Sequence, residues 1–424
     1  MVGRLIALHL PPDRFPHHLR EVWEGGDAAL PLPLDAPKRL LREMLDRIRP
    51  HELVTSDPEP GESSPTTRLT TPGPPHPIPD GTALVVSTSG STGEPKGVVL
   101  SHRALEASTT ASVERLGARH GDRFTLALPL HHVAGLQVLL RAWACGTEAR
   151  IVPDPGDAKQ LVPQPADDPT EPEHISLVPT QLQRLVELGE LPAGALRRWR
   201  TVLVGGAQLD PGLLARAEAA GATVVTSYGM TETCGGCVYD GEPLRDVEVE
   251  VRDDGRVRLR GPMLFSGYLT AVDPSAAEPA VTDAPTPQVH LSGLDPDGWF
   301  TTGDLGELHD GRLRVLGRHD DVIISGGENV PAQVITEALL QHPSLLDVAV
   351  IGVQDDQWGQ RVVAVAVARD PTSPPALAEL REHVADRFPV SYAPRQLVLT
   401  EQLPRDGLGK PTAAALLQLV ADAG

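Results

Sequence analysis

The amino-acid sequence predicts an α/β fold with a large N-terminal domain and a small α+β C-terminal domain. Between residues 82 and 230, short apolar runs alternate with helical patterns, which is typical of βαβ units. The segment "VEVEVRDDGRVRLRG" alternates at period two around an Asp-Asp-Gly turn and predicts an antiparallel hairpin. Towards the C-terminus, the pattern helix, strand, strand, helix predicts a compact α+β unit. We place the boundary at Gly317 to Asp320, which gives domains 1–317 and 318–424.

Composition narrows the classes of function. The 424 residues carry a formal net charge of −20, so bulk electrostatics disfavour nucleic acid as a partner. The three cysteines, Cys145, Cys234 and Cys237, are too few for a disulfide framework and favour a reducing compartment. The start of the chain lacks a signal peptide's long apolar stretch, and no run approaches the roughly 20 apolar residues of a membrane span. We expect a soluble cytoplasmic protein, and the sequence leaves its oligomeric state open.

The predicted elements follow in a regular order. "TALVVSTSG" is a strand entering a glycine turn, and "GVVLSHRALEASTTASVERLG" is a strand, a Ser101 N-cap and an amphipathic helix. "RFTLALPL" is a buried strand, "GLQVLLRAWACG" a helix ending at Gly146, and "ISLVPTQLQRLVELG" a strand and a helix. "RTVLVGGAQLDPGLLARAEAAGATVVTSYG" is a strand, a glycine turn, a helix and a strand, and "GELHDGRLRVLGR" is a second hairpin. The Pro-rich stretches 57–81, 153–174 and 271–297 are expected to be exposed loops.

The stretch "STSGSTGEPKG", from Ser87 to Gly97, has the composition of a phosphate-binding loop. Glycines allow backbone N–H groups to converge on phosphate oxygens, hydroxyls add donors, and Lys96 adds a charge. A Walker A loop requires Gly-Lys-Ser/Thr at its end, whereas Lys96 lies between Pro95 and Gly97. The spacing therefore excludes a P-loop NTPase. By itself, the stretch is also compatible with a flexible Ser/Gly linker.

Five segments in order resemble the motifs of the acyl-adenylate-forming enzymes, which include acyl-CoA synthetases, luciferases and nonribosomal adenylation domains. They are "TSGSTGEPKGV", "SYGMTET" (227–233), "GWFTTGDLGEL" (298–308), "GRHDDVIISGGENV" (317–330) and "PRDGLGKPT" (404–412). The resemblance implies the fold of that family and its reaction, in which a carboxylate attacks the α-phosphate of ATP. Such a reaction needs positive charge and Mg²⁺ around the phosphates.

The resemblance also implies roles for individual residues. Thr92 and Glu232 would hold Mg²⁺, and Thr231 would act beside Glu232. Asp304 would bind the ribose hydroxyls, with Arg318 reaching the ribose or the phosphates. Lys410 would bridge the attacking carboxylate and the α-phosphate. The β- and γ-phosphates and the rest of the nucleotide would be held by Ser89, Gly90, Ser91, Thr92, Gly93, Lys96, Gly205, Gly206, Tyr228 and Gly229.

The same resemblance makes Asp320 the hinge of a rotating C-terminal domain. One pose would deliver Lys410 to the adenylate site. The other would bring the loop of Ser325, Gly326 and Gly327 to a tunnel for the thiol of coenzyme A. A hinge of this kind absorbs a large change of φ and ψ over few residues.

The acyl substrate is expected beside "SYGMTE" and "LPLHHVAGL", where His132 would shield the site or donate to a substrate carbonyl. These segments most resemble the o-succinylbenzoate–CoA ligases of bacterial menaquinone biosynthesis. The resemblance implies a small carboxylic acid, ATP and coenzyme A as substrates. Alternatives are another aryl or aliphatic acid, the loading of a separate carrier protein, and a binding protein without activity.

Each residue has a plainer interpretation. Asp304 could be a turn residue, Thr231 and Glu232 a helix-start pair, and Arg318 a surface partner of Asp320 or Asp321. Lys410 could be an exposed loop lysine, and His132 a structural histidine. The Cys234-Gly-Gly-Cys237 pair, taken alone, fits a redox pair or half of a zinc site, but its place directly after Glu232 favours the lining of a pocket.

Overall fold

The structure, a computed structural model, describes residues 3–56, 67–70, 78–89, 95–162, 172–187, 195–269, 293–355, 357–405 and 411–423. Its mixed α/β architecture is built on separate sheets, each with helices or further strands packed against it. No helix in this described part is long and apolar enough to cross a membrane.

The first sheet is formed mainly by the N-terminal residues. Its strands and the helices between them are β1 (Leu5–His9), α1 (Phe15–Glu24), β2 (Ala28–Pro31), α2 (Lys38–Ile48), β3 (Glu52–Thr55), β4 (Thr67–Thr70), β5 (Thr82–Ser89) and β6 (Pro95–Ser101). β1 pairs in parallel with β2 and β3, whereas β5 and β6 form an antiparallel pair. The expectation of a loop over 57–81 is wrong at β4, because the edge of β3 offers it an antiparallel ladder.

The second sheet contains the predicted βαβ units. Its region holds α3 (His102–Arg115), β7 (Arg123–Leu126), α4 (Val133–Ala144), β8 (Arg150–Ile151), α5 (Ala158–Leu161), β9 (Glu173–Leu177), α6 (Pro179–Glu187), β10 (Trp199–Val204), α7 (Pro211–Ala219), β11 (Val224–Met230), β12 (Gly235–Tyr239) and β13 (Glu242–Pro243). The order is β13-β12-β11-β10-β9-β7-β8, parallel from β8 to β11. The Ser101 hydroxyl caps α3 as predicted, accepting from the Ala104 N–H at 3.1 Å. The loop expected over 153–174 instead includes α5, because Ala158 and Leu161 are buried.

A third sheet contains both predicted hairpins. Its region comprises β14 (Glu248–Val251), β15 (Arg256–Arg260), β16 (Gly267–Leu269), β17 (Phe300–His309) and β18 (Arg312–Arg318). The sheet order is β14-β15-β17-β18, and every neighbouring pair is antiparallel. β16 belongs to the first sheet, where it lies antiparallel to β6 with Tyr268 opposite Val98. The connection through β16 therefore joins the third sheet to the first.

The C-terminal residues form a fourth sheet with its own helices. The elements are β19 (Val322–Ser325), β20 (Glu328–Pro331), α8 (Ala332–Leu340), β21 (Leu345–Asp355), β22 (Gly359–Ala368), α9 (Leu377–Ala385), β23 (Gln396–Leu399) and α10 (Ala413–Ala423). The order is β20-β19-β22-β21, and β23 lies parallel to β22. The predicted sequence helix, strand, strand, helix corresponds to α8, β21, β22 and α9. The apolar clusters of this region draw on residues from Ile323 to Val420.

A buried histidine lies at the start of β9. The ring of His174 stacks on Phe124 with a centroid separation of 4.9 Å, and its Nε2–H donates to Asp122 at 3.1 Å. Burial lowers the pKa of His174, and Arg200 and Arg141 act in the same direction, while Asp122 opposes them. The folded state therefore holds this imidazole neutral at a pH where the unfolded chain binds a proton.

Replacing this histidine should reduce the loss of stability in mild acid. Below the ordinary histidine pKa, the unfolded state gains a proton that folded His174 resists, which costs up to about 1.4 kcal/mol per pH unit. In His174→Gln, the free energy of unfolding should fall less between pH 7 and pH 5.5 than in the wild type. Urea denaturation at both pH values measures the difference. Equal losses in the two proteins would contradict the assignment.

Candidate active site

The described part of the predicted phosphate loop is its pair of flanking strands. β5 ends at Ser89, and Lys96 on β6 lies opposite Thr88. Lys96 is half-buried, and its Nζ lies 5.7 Å from the centroid of the Tyr268 ring. The predicted loop residues Gly90, Ser91, Thr92 and Gly93 lie outside the described residues.

The second motif lies at the end of β11. The chain leaves the strand in a 3₁₀ turn, Thr231–Thr233, and continues directly into β12. Thr231 and Glu232 are thus the first two residues of a short 3₁₀ turn, as the helix-start interpretation expects, and their catalytic roles stay predictions. The half-buried carboxylate of Glu232 accepts from the Tyr268 hydroxyl at 2.8 Å. Among the described residues, no arginine, lysine or histidine forms an ion pair with Glu232.

Gly229 allows the close approach of β11 and β12. The register between the strands shifts between Tyr228 and Gly229. A Cβ at Gly229 would lie 2.6 Å from Cα of Gly236, and closer still to the carbonyl oxygen of Gly235. Both obstacles are backbone atoms, so a side chain at this position would have to separate the strands.

A carboxylate, a phenol and a guanidinium meet beside this turn. Asp304, on β17 and only 8% exposed, accepts from the Tyr228 hydroxyl at 2.8 Å. Arg318 faces Asp304 across the hairpin, with Nη1 3.5 Å from Oδ1. Burial and the charge of Asp304 raise the pKa of Tyr228, which keeps the phenol a donor. Asp304 lies inside a strand, so the interpretation as a turn residue is wrong.

Two glycines and a histidine predicted for the site lie in the region of the second sheet. Gly205 follows β10, and a Cβ there would lie 3.2 Å from the carbonyl oxygen of Ser227 on β11. Gly206 has φ +82°, which favours glycine. His132 is the N-cap of α4, and its ring lies 4.2 Å from that of His131. The resemblance expects these residues beside the adenine and acyl groups, and those roles stay predictions.

Arg141, on α4, lies outside every sequence motif. Its side chain is 3% exposed and donates to Ser112 Oγ at 3.2 Å and to Ser176 Oγ at 2.9 Å. No carboxylate pairs with it among the described residues, and burial lowers its pKa. A buried cation without an acidic partner is costly, which marks a functional candidate. The signal in the sequence was an arginine within the otherwise apolar run "GLQVLLRAWACG".

The two cysteines after Glu232 lie in the apolar core. Cys234 and Cys237 are buried free thiols. Burial raises the pKa of Cys234 and raises that of Cys237 to about 12, so neither is a thiolate at neutral pH. The described residues contain no group of three or more His, Cys, Asp or Glu side chains placed to hold a metal.

The predicted hinge and thiol-side loop lie in the C-terminal part. Asp320 is in the 3₁₀ turn His319–Asp321 between β18 and β19. Ser325 ends β19 and is buried, and Gly326 and Gly327 have φ +62° and +84°, as the tight turn to β20 requires. The Gly326 N–H donates to the Trp358 carbonyl at 2.9 Å. Lys410 lies outside the described residues.

Solved structures share this architecture. The o-succinylbenzoate CoA synthetase of Bacillus subtilis, in complex with the acyl-adenylate intermediate, matches with a TM-score of 0.76 and 25% identity over 98% of this chain and 88% of that chain. ATP-bound MatB from Rhodopseudomonas palustris matches with a TM-score of 0.81 and 23% identity, over 100% of this chain and 90% of that chain. The predicted fold class, that of the adenylate-forming enzymes, is confirmed.

Family models and relatives identify the chain more narrowly. The model described as AMP-binding enzyme matches residues 33–269, and that of the AMP-binding enzyme C-terminal domain matches 335–410. A probable 2-succinylbenzoate–CoA ligase of Mycobacterium tuberculosis (strain H37Rv) is 41% identical over 80% of this chain and 85% of its own. A 2-succinylbenzoate–CoA ligase of Listeria monocytogenes (strain F2365) is 33% identical over 77% of this chain and 68% of its own. The chain belongs to the AMP-binding enzyme family.

A side chain at Gly229 should disrupt the site. In Gly229→Ala, the new methyl group meets backbone atoms of Gly235 and Gly236, so β11 and β12 must separate, at a cost of roughly 1–3 kcal/mol. Thermal unfolding should show a lower Tm, and calorimetry should show weaker ATP binding. Gly156→Ala is the matched control, because Gly156 is exposed and its added methyl would meet only the side chain of Asp154. If Gly229→Ala, like Gly156→Ala, keeps the wild-type Tm and ATP affinity, the close approach of β11 and β12 does not require glycine at position 229.

Proposed function

We propose that the protein is an AMP-forming acid–CoA ligase that converts o-succinylbenzoate to o-succinylbenzoyl-CoA. The observation that carries the proposal is the convergence of Lys96, Glu232, Asp304 and Arg318 around the end of β11. The choice of acid is supported by the relatives in Mycobacterium tuberculosis and Listeria monocytogenes, which carry that activity in their names. The resemblance places this step in menaquinone biosynthesis. ATP and coenzyme A are cytoplasmic metabolites, which supports the cytoplasm as its location.

The reaction proceeds in two steps. A carboxylate oxygen of the acid attacks the α-phosphorus of ATP, the bond to the β-phosphate oxygen breaks, and pyrophosphate leaves. The thiol of coenzyme A then attacks the acyl carbon of the adenylate, loses its proton, and expels AMP. Charge must be neutralised around the phosphates in the first step and on the departing AMP in the second.

The described residues fit the nucleotide end of this reaction. Lys96 places a cation beside the loop that holds the β- and γ-phosphates. Asp304 presents a buried carboxyl acceptor to the ribose hydroxyls, oriented by Tyr228 and Arg318. Gly205 and Gly206 would form the backbone wall beside the adenine, as the resemblance implies.

The residues at Glu232 fit a magnesium ion. Its carboxylate is a hard oxygen donor without an ion-pair partner among the described residues, and Mg²⁺ prefers one or two carboxylates together with substrate phosphates. Glu232 and Thr92 would hold the ion, which would neutralise charge on the phosphates.

The proposed acid carries a negative charge that the reaction leaves unchanged. o-Succinylbenzoate has two carboxylates, and only one is consumed. A positive group at the acyl end would favour such a dianion over a simple benzoate or a fatty acid. Buried Arg141 lies in the last turn of α4, whose N-cap is His132, and its guanidinium donates to Ser112 and Ser176.

Residues 318–424 act as a domain that turns about Asp320. This part has apolar clusters of its own, and it touches the large domain where Gln333 Nε2 donates to Gln208 Oε1 at 3.1 Å. Lys410 serves the first step. The loop of Ser325, Gly326 and Gly327 serves the second, near the thiol of coenzyme A.

The substrate assignment predicts a clear preference among acids. With ATP, Mg²⁺ and coenzyme A, o-succinylbenzoate should give AMP and a thioester with kcat/KM at least about a hundredfold above that for benzoate or a fatty acid. Coupled AMP release and mass spectrometry of the thioester measure this. Preference for another acid would overturn the substrate, and transfer only to a carrier protein would overturn the acceptor.

Removing Lys410 should separate the two steps. In Lys410→Ala, formation of the adenylate should slow by about 10²-fold or more, because a charge that stabilises the transition state is lost. Thioester formation from preformed adenylate should keep a rate close to that of the wild type. Single-turnover measurements of each step test this, with Lys159→Ala, on short helix α5, as the matched control. Equal slowing of both steps would argue against the two-pose scheme.

A further inference from the structure

The segment Phe265–Leu269 holds Glu232 at two points. The Phe265 N–H donates to the Glu232 carbonyl at 2.8 Å, and the Tyr268 hydroxyl donates to Glu232 Oε1, also at 2.8 Å. One short segment therefore fixes both the backbone and the side chain of this residue. None of the five sequence motifs includes it.

The same segment is attached to the strand that carries Lys96. β16 pairs with β6, with Tyr268 opposite Val98 and Leu269 opposite Gly97. Side chains two residues apart on a strand share a face, so Lys96 lies on the Tyr268 side of the pair. Its Nζ lies 5.7 Å from the Tyr268 ring centroid, within the range of a cation–π contact.

The position of the Tyr268 ring is determined by its neighbours. It packs edge-on against Phe265 with a centroid separation of 4.9 Å, and Phe265 packs in turn against Phe300 at 5.1 Å. A phenol donates its O–H to a carboxylate at neutral pH, so the Tyr268 hydroxyl is the donor in its bond to Glu232.

We propose that Tyr268 is a positioning residue for the metal and the phosphates. Its hydroxyl holds one oxygen of Glu232 and leaves the other to a magnesium ion, while its ring supports the ammonium group of Lys96. Tyr268 thereby aligns the two motifs that the reaction requires to act on the same phosphates. The inference rests on the proposed ATP-dependent function and names a residue of that same site.

A purely structural role would need only the ring. Phenylalanine keeps the ring, its contact with Phe265 and its face towards Lys96, but it lacks the donor. Tyr268→Phe therefore isolates the hydrogen bond to Glu232. Loss of a hydrogen bond to a charged group corresponds to roughly a tenfold change in an equilibrium constant.

The test is the Mg²⁺ dependence of nucleotide binding, measured by calorimetry with a non-hydrolysable ATP analogue and no acid substrate. In Tyr268→Phe, the Mg²⁺ concentration for half-maximal binding should rise about tenfold, while binding in EDTA should match that of the wild type. An unchanged Mg²⁺ midpoint in a variant with the wild-type Tm would overturn the proposal.

Two further tyrosines serve as controls. Tyr228→Phe removes the hydroxyl that donates to Asp304. Because Asp304 would bind the ribose and not the metal, this variant should weaken analogue binding equally with and without Mg²⁺. Tyr392→Phe, in the C-terminal part beside Phe388, should change neither quantity.

If Tyr268→Phe fails to fold, Tyr268→His and Tyr268→Leu replace it, because histidine keeps an N–H donor and leucine does not. The proposal predicts a lower Mg²⁺ midpoint for Tyr268→His than for Tyr268→Leu. Equal midpoints in these two variants would overturn it.

The outcome separates this inference from the proposed function. If the wild type binds no ATP analogue at any Mg²⁺ concentration, the proposed function itself fails. If the wild type binds it with Mg²⁺ and Tyr268→Phe behaves identically, only the role of Tyr268 fails.

Discussion

Two tyrosine hydroxyls bonded to carboxylates organise the candidate active site. Tyr228 donates to Asp304 and Tyr268 donates to Glu232, each at 2.8 Å. Tyr228 and Glu232 lie four residues apart at the end of β11, so that strand end is tied to β17 by one bond and to β16 by the other. An ionised carboxylate in a partly buried position needs hydrogen bonds to offset its desolvation, and these bonds also fix where it points.

The chain pathway explains why such ties are needed. Lys96, Glu232 and Asp304 come from different sheets, and each sheet is stabilised mainly by its own ladder. β16 leaves the third sheet region to pair with β6, so the first sheet is joined to the hairpins by a backbone connection and a strand pairing. Charged groups that act on one triphosphate have to be held within a few tenths of an ångström, which loose packing between sheets would not provide.

Much of the fold could be predicted from local patterns. The hairpins around Asp253-Asp254 and Asp310-Gly311 and the Ser101 cap have short-range causes, and all were found. Composition did not predict β4, because β4 is stabilised by pairing with the edge strand β3. It did not predict α5 either, because α5 is stabilised by the burial of Ala158 and Leu161. Motif resemblance singled out Glu232 and Asp304 as candidates, but not Tyr268 or Arg141, because both of these make their contacts with residues distant in sequence.

The central claim is that the protein activates a carboxylate as an acyl-adenylate, and the fate of the carboxylate oxygen tests it most directly. o-Succinylbenzoate labelled with ¹⁸O in its carboxylates should be supplied with unlabelled ATP, Mg²⁺ and coenzyme A, and the products analysed by mass spectrometry. Attack of the carboxylate on the α-phosphate predicts one ¹⁸O atom in each AMP and none in pyrophosphate. Unlabelled AMP, or label in inorganic phosphate, would contradict the claim.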